Sequence, residues 1–428
     1  HGASACSRRR NGYLEGEEFM SNKVIITGMG AVSPLGLDVE SSFAAAKEGK
    51  GGIVKVTTFD AQSTQIFVAG EVKDFDPSKY INKREARRIA MFTQYAVVAA
   101  MQAWEQSGIA DGEYDADNIG TILGCGMGAL DEICVQCNEL ENNGPRAVSP
   151  IFIPKCIINS AAGQVAIRLG LHGPCYAVVT ACSSGADALG QAYYAIKEGR
   201  LDAVLVGGTE STMTELAVQG FHQMQALSES KDPKRAMMPF DKDRQGFVMG
   251  EGAAFMLLET QEHANKRGAK RLGEIAGYGQ TCDAHHITAP EPSGKYASKA
   301  MTLAIKEAGI EPKDIGYINA HGTSTPLNDA FESAAIERCF GDHAKNLLVN
   351  STKSMTGHML GAAGAFEAVM TACALRDGIS PPTIGLEVED EACKLNYVKG
   401  KAQPLDTSYG LSNSFGFGGH NSCVIVKK

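Results

Sequence analysis

The stretch Val178-Val179-Thr180-Ala181-Cys182-Ser183-Ser184-Gly185 passes from β-branched residues to small ones across a single cysteine. Its first part predicts a strand over Tyr176–Val179, and its second opens a helix predicted over Ser183–Glu198. A short apolar strand that feeds directly into a helix is the building unit of a layered α/β fold. The unit recurs. Apolar runs at Val24–Thr27, Thr121–Leu123, Ala203–Val206, Phe255–Glu259, Ile315–Asn319 and Leu347–Asn350 alternate with helical stretches at Arg84–Ser107, Ser298–Ala308 and Gly361–Leu375. Such strands are expected to be covered on both faces by helices. A weak break at the basic segment Lys266–Lys270 divides the pattern into two halves, 20–268 and 269–428.

The bulk numbers exclude several classes. A chain of 428 residues buries one large core or two medium ones. With 44% hydrophobic and 21% charged residues it is globular and not disordered. The net charge of −9 argues against a nucleic-acid binder, and no apolar run reaches the length of a membrane span. Residues 1–19 carry basic residues but no apolar core of a signal peptide, so they read as a non-native, tag-like leader before Met20. Twelve cysteines are irregularly spaced, and the lone pair Cys134 and Cys137 has no second pair downstream, so no metal site is expected. Without a signal peptide the thiols are expected to stay free, in a reducing, cytoplasmic setting. Glycines at Gly28, Gly30, Gly124, Gly126 and Gly128 lack the downstream acidic residue of a dinucleotide site, which leaves close strand–helix packing as their reading.

Chemistry concentrates at three strand ends. Cys182 stands where a strand meets a helix N-terminus, whose free N–H groups and macrodipole favour a thiolate and could hold an oxyanion. The alternative for this segment alone is a buried structural cysteine. Asn319-Ala320-His321-Gly322-Thr323-Ser324-Thr325-Pro326-Leu327-Asn328-Asp329 places His321 just past a strand, among small hydroxyl residues. Asn350-Ser351-Thr352-Lys353-Ser354-Met355-Thr356-Gly357-His358 repeats the arrangement before the small-residue run Gly361-Ala362-Ala363-Gly364. A Cys–His pair needs only one histidine. The second implies work beyond activating a nucleophile, such as two neutral imidazoles stabilising an enolate.

These blocks, TACSSG, HGTSTPLND, STKSMTGHMLGAAG and NSFGFGGHN, resemble the signatures of the β-ketoacyl-[acyl carrier protein] synthases, nearest to those of bacterial type II systems. The resemblance extends over nearly the whole chain from Met20 and includes PFDKDRQGFVMGEGA at Pro239–Ala253 and HITAPEP at His286–Pro292. It implies the thiolase fold, a five-layered α-β-α-β-α core of two similar βαβαβαββ halves, in a homodimer. By the same resemblance Cys182 accepts an acyl chain as a thioester, and the N–H groups of Cys182 and Phe417 form the oxyanion hole. His321 and His358 would promote decarboxylation of malonyl carrier protein. The carbanion so formed would attack the thioester and lengthen the chain by two carbons.

Further roles follow from the resemblance alone. Lys353 with Glu367 would form a charged pair behind the histidines, or an ordinary structural ion pair, with Asp329 also in that supporting layer. Thr323, Thr325 and Thr288 would bind the phosphopantetheine arm that the substrates carry, so no resident cofactor is implied. Phe417 would act as a gate, and Met127 would border the acyl pocket. Arg84, Arg87 and Arg88, at helical spacing on an acidic chain, would meet the acidic acyl carrier protein, although such a run is also an ordinary solvated face. Two positions depart from the family pattern: Gln245 replaces an Asp, and Ala147 a second basic residue after Arg146. The other activities weighed are a polyketide-type ketosynthase and a non-catalytic chain-length partner subunit. The retained Cys182 and both histidines speak against the second.

Overall fold

The computed structural model describes residues 22–428; the leader read at 1–19 lies outside the described residues. Of the ten strands of the main sheet, five precede residue 261: β1 (Val24–Val32), β2 (Ile119–Gly124), β3 (Cys175–Val178), β4 (Ala203–Glu210) and β5 (Gly252–Thr260). Five more follow: β6 (Gly273–Cys282), β7 (Ile315–Asn319), β8 (Leu348–Asn350), β9 (Tyr409–Gly416) and β10 (His420–Lys427). They hydrogen-bond in the order β8-β7-β9-β10-β6-β1-β5-β4-β2-β3.

That order is the same five-strand array written twice. In the first, β3, β2 and β4 run parallel and β4, β5 and β1 antiparallel. In the second, β8, β7 and β9 run parallel and β9, β10 and β6 antiparallel. Among the described residues, strands of the two arrays pair only at Val24↔Ile275, Ile25↔Glu274 and Ile26↔Gly273 of β1 and β6.

Helices complete five layers. α1 (Met91–Ser107) and α2 (Ser160–Leu169) cover the outer face of the first array. α4 (Lys295–Glu307) covers the outer face of the second, and α5 (Pro326–Phe340) packs on α4. Between the arrays lie α3 (Ser184–Lys197) and α6 (Ala363–Asp377), which touch each other and strands of both. The layering is that of the thiolase fold. α6 is buried without a break from Ala363 to Leu375, and its polar residues are partnered internally: Glu367 pairs with Lys353, and Thr371 donates to the Glu367 carbonyl. Glycines let the layers approach: a Cβ on Gly28 would lie 2.0 Å from the Ala103 carbonyl oxygen, and one on Gly30 would lie 2.0 Å from that of Ala99. The glycine-rich β1 is thus explained by its contact with α1.

Two sequence expectations need correction. The helix expected over Arg84–Ser107 is broken into a four-residue turn, Lys83–Ala86, and α1. Burial of Ile89 and Ala90 draws the chain inward between them, and Gln94 Nε2 donates to the carbonyls of Ala86 (3.0 Å) and Ile89 (3.2 Å). Arg84, Arg87 and Arg88 are exposed; Arg84 lies within the helical turn, Arg87 caps it with a helical backbone, and Arg88 follows. The second correction concerns β3. It is not covered on both faces but lies at the sheet edge, with Tyr176 39% exposed.

Candidate active site

The cysteine turn is built by its own small residues. After β3 the backbone passes through Ala181 at φ +53°, a left-handed conformation that costs a non-glycine residue about 1 kcal/mol or more. Ser184 locks it: its Oγ donates to the Ala181 carbonyl at 2.6 Å and accepts from the Thr180 N–H at 2.9 Å. Cys182 is thereby held, half-buried, facing a cavity of about 560 Å³. Burial pushes its thiol up to about 12, with the charge of Lys353 pulling the other way. Desolvation thus opposes the pull that the helix N-terminus exerts towards a thiolate.

Both histidines line the same cavity. Their rings stand 5.4 Å apart between centroids and nearly perpendicular, at 86°. The backbone N–H groups of His321 and Gly322 donate to Glu332 at 2.8 and 2.7 Å, fixing the loop after β7. The His358 N–H donates to the Val248 carbonyl at 2.7 Å, and its ring meets the Phe247 ring edge-on at 5.2 Å. Burial holds both imidazoles well below their ordinary pKa; Lys353 adds to this at both, and His358 adds further at His321. Each is neutral, with one nitrogen to donate and one to accept. Behind them Lys353 and Glu367 form an ion pair at 1% and 2% side-chain exposure. Burial raises the Glu367 carboxyl and the Lys353 charge opposes the rise.

Phe417, Thr323, Thr325 and Thr288 also line the cavity. The hydroxyls of Thr323 and Thr325 are hydrogen-bonded at 2.9 Å, and Thr288 Oγ1 sits 3.3 Å from His286 Nδ1. Phe417 leans on Phe221, with centroids 6.4 Å apart. The adjacent Gly416 has to be glycine: a Cβ there would lie 2.6 Å from the Thr180 carbonyl oxygen and 3.2 Å from the Cys182 amide nitrogen. The Phe417 loop therefore lies directly on the cysteine turn. Met127 is not a lining residue and packs in the apolar cluster that also includes Cys182. Asp329 does not touch the histidines; it accepts from the N–H groups of Phe240 (2.8 Å) and Ser324 (3.2 Å). Arg84, Arg87 and Arg88 are not lining residues either.

Sequence reasoning passed over Glu332 and Phe415. Glu332 is fully buried and raised to about 7 by burial, against the pull of its hydrogen bonds. Its signal was available: an acidic residue three positions after Asp329 among Phe331, Ala335 and Ile336 lies on a buried helix face. Phe415 meets the His321 ring at 5.6 Å and comes from a strand whose pattern does not distinguish it from any core phenylalanine.

Several known proteins are similar to this chain over nearly its whole length. One relative is a 3-oxoacyl-[acyl-carrier-protein] synthase 2 of Staphylococcus aureus (strain COL), 47% identical over 408 residues, which span 95% of this chain and 99% of that protein. Among solved structures, a beta-ketoacyl synthase from Burkholderia phymatum superposes with a TM-score of 0.89 at 33% identity, covering 95% of this chain and 99% of that one. A type II polyketide ketosynthase in complex with its acyl-carrier protein, AntDE:AntF, gives 0.86 at 30% identity, with the same coverage of 95% and 99%. Residues 21–264 match the family described as Beta-ketoacyl synthase, N-terminal domain, and residues 272–387 the one described as Beta-ketoacyl synthase, C-terminal domain. With the cysteine and both histidines on one cavity and both matches in sequence order, the chain belongs to the beta-ketoacyl synthase family.

Proposed function

We propose that the chain is a 3-oxoacyl-[acyl carrier protein] synthase of type II fatty-acid synthesis. One observation carries the reading: a cysteine and two neutral histidines face one cavity, backed by a buried Lys353–Glu367 pair. Cys182 Sγ attacks the acyl thioester of a carrier protein. The S–C bond forms, the pantetheine thiolate leaves with the proton of the cysteine, and the N–H groups of Cys182 and Phe417 hold the intermediate oxyanion. Malonyl carrier protein then binds with its thioester oxygen towards His321 and His358. As CO₂ leaves, the enolate oxygen gains hydrogen bonds that the ground-state carbonyl lacks, which lowers the barrier. The enolate carbon attacks the Cys182 thioester, a C–C bond forms, and the cysteine sulfur leaves. Thr323, Thr325 and Thr288 seat the pantetheine arm, Met127 bounds the acyl chain from outside the cavity, in the apolar cluster it shares with Cys182, and Asp329 steadies the Thr323–Thr325 loop.

The name of the 47% identical relative supports fatty-acid over polyketide synthesis. The carrier-bound AntDE ketosynthase supports an acyl carrier protein as partner. We assign the exposed Arg84, Arg87 and Arg88 as its docking residues. We place the enzyme in the cytoplasm, where thiols such as the free cysteines of the described residues stay reduced. It works as a homodimer of chains that each divide into halves 20–268 and 269–428.

The test separates the steps. Cys182→Ala abolishes acyl-enzyme formation, read by mass spectrometry, and lowers condensation at least about a thousandfold. His321→Ala and His358→Ala still acylate Cys182 but lose malonyl decarboxylation by about 10²-fold or more. A thioester on another cysteine, or full turnover by either histidine variant, refutes the assignment.

A further inference from the structure

Asp187, in the first turn of α3, is 1% exposed and belongs to no ion pair among the described residues. Hydroxyl groups satisfy it instead. Thr180 donates to Oδ2, and Ser183 Oγ lies 3.2 Å from the same oxygen while also reaching the Thr180 carbonyl at 2.8 Å. The other oxygen, Oδ1, accepts from the Tyr278 hydroxyl at 2.5 Å and from Ser422. A buried carboxylate without a cation is costly unless it is fully hydrogen-bonded, so four hydroxyls at one aspartate mark a built arrangement. Gly190 belongs to it as well: a Cβ there would fall 2.2 Å from Tyr278 Cζ, so only glycine lets the ring pass over α3 to Asp187.

The donors come from separate parts of the fold. Thr180 and Ser183 flank the strained Ala181-Cys182 turn. Tyr278 is on β6, and Ser422 is on β10, paired with Ser414 in the hairpin whose tip carries Phe417. One side of the carboxylate thus holds the Cys182 amide and the other holds the hairpin of the Phe417 amide.

We infer that Asp187 is a positioning residue that sets the separation of the Cys182 and Phe417 N–H groups, and so the rate of acyl transfer to Cys182. The inference rests on the proposed oxyanion hole of those two amides. Asp187→Asn keeps the size and replaces one acceptor oxygen with a donor, so one side of the tie is lost. Tyr278→Phe removes a single hydroxyl and leaves the ring on Gly190.

The experiment measures two rates. One is single-turnover thioester formation on Cys182 from acyl carrier protein substrates. The other is CO₂ release from malonyl carrier protein in a Cys182→Gln background, with and without the second substitution. Acylation is expected to fall about tenfold to a hundredfold in Asp187→Asn, at or below the loss of a whole oxyanion donor, and about threefold in Tyr278→Phe. Decarboxylation, which uses the histidines, should change by less than about twofold. A parallel fall of both rates makes Asp187 merely structural and overturns the inference, as does unchanged acylation. If Asp187→Asn does not fold, Tyr278→Phe decides by the same split. Failure of the wild-type protein to form a thioester on Cys182 would instead remove the functional reading itself, and this inference with it.

Discussion

At the scale of single residues, protonation is what the fold decides and the sequence does not display. Cys182, His321 and His358 were legible as reactive groups because each follows a predicted strand and lies among small residues. Their charge states were not, because burial depends on what the rest of the chain places over them. With its thiol pushed up to about 12, Cys182 is protonated at neutral pH, and the thiolate fraction grows with pH. Alkylation of Cys182 by iodoacetamide, followed by mass spectrometry, should accelerate about tenfold per pH unit from 7 to 10 without levelling off. A plateau below pH 8 would show that the helix N-terminus overcomes burial. The histidines run the other way: pKa values held well below the ordinary 6.5 keep them neutral, so above pH 6 the decarboxylation step should show no histidine titration.

Among elements, the break between Lys83–Ala86 and α1 shows the limit of periodicity. Apolar spacing continues across Arg87–Ala90, so the sequence reads as one long helix. The interruption comes from Ile89 and Ala90 turning into the core and from the Gln94 side chain taking the two carbonyls that the break leaves free. Strand–turn–helix units with glycine at close contacts were readable, since Gly28 and Gly30 answer to the backbone of α1. The break bears on docking. Arg84 lies in the short turn before the break, with Arg87 and Arg88 at its end, and all three are exposed. Arg84→Glu with Arg87→Glu and Arg88→Glu should raise KM for carrier-protein substrates and flatten its salt dependence, each site contributing under about 1 kcal/mol. Turnover of short acyl-pantetheine mimics should stay unchanged. Equal slowing of both substrate types would move the carrier surface elsewhere.

For the whole molecule, the doubled five-strand array explains how one cavity collects residues from opposite ends of the strand order. β3 and β8 are the two edges of the sheet, yet Cys182 and His358 share a site because the arrays face each other across α3 and α6. The edge at β3 also carries uncovered apolar groups: Val179, just past it, is 54% exposed, and Ile167, on the helix α2 that packs against β3, is 77% exposed. An unpaired strand edge with large exposed apolar side chains invites a second copy. Sedimentation at micromolar concentration should give twice the chain mass, and Ile167→Asp with Val179→Asp should shift the protein towards monomer. A wild-type monomer would contradict the homodimer.

The unbroken burial of α6 has a consequence for synthesis on the ribosome. The first array and α3 emerge early, but the helix that closes their inner face ends at Asp377. Until that residue leaves the exit tunnel, the nascent chain carries an uncovered apolar surface, and the three residue pairs joining β1 to β6 cannot hide it. Translation must therefore pass Asp377 before the inner face of the first array is closed to a chaperone.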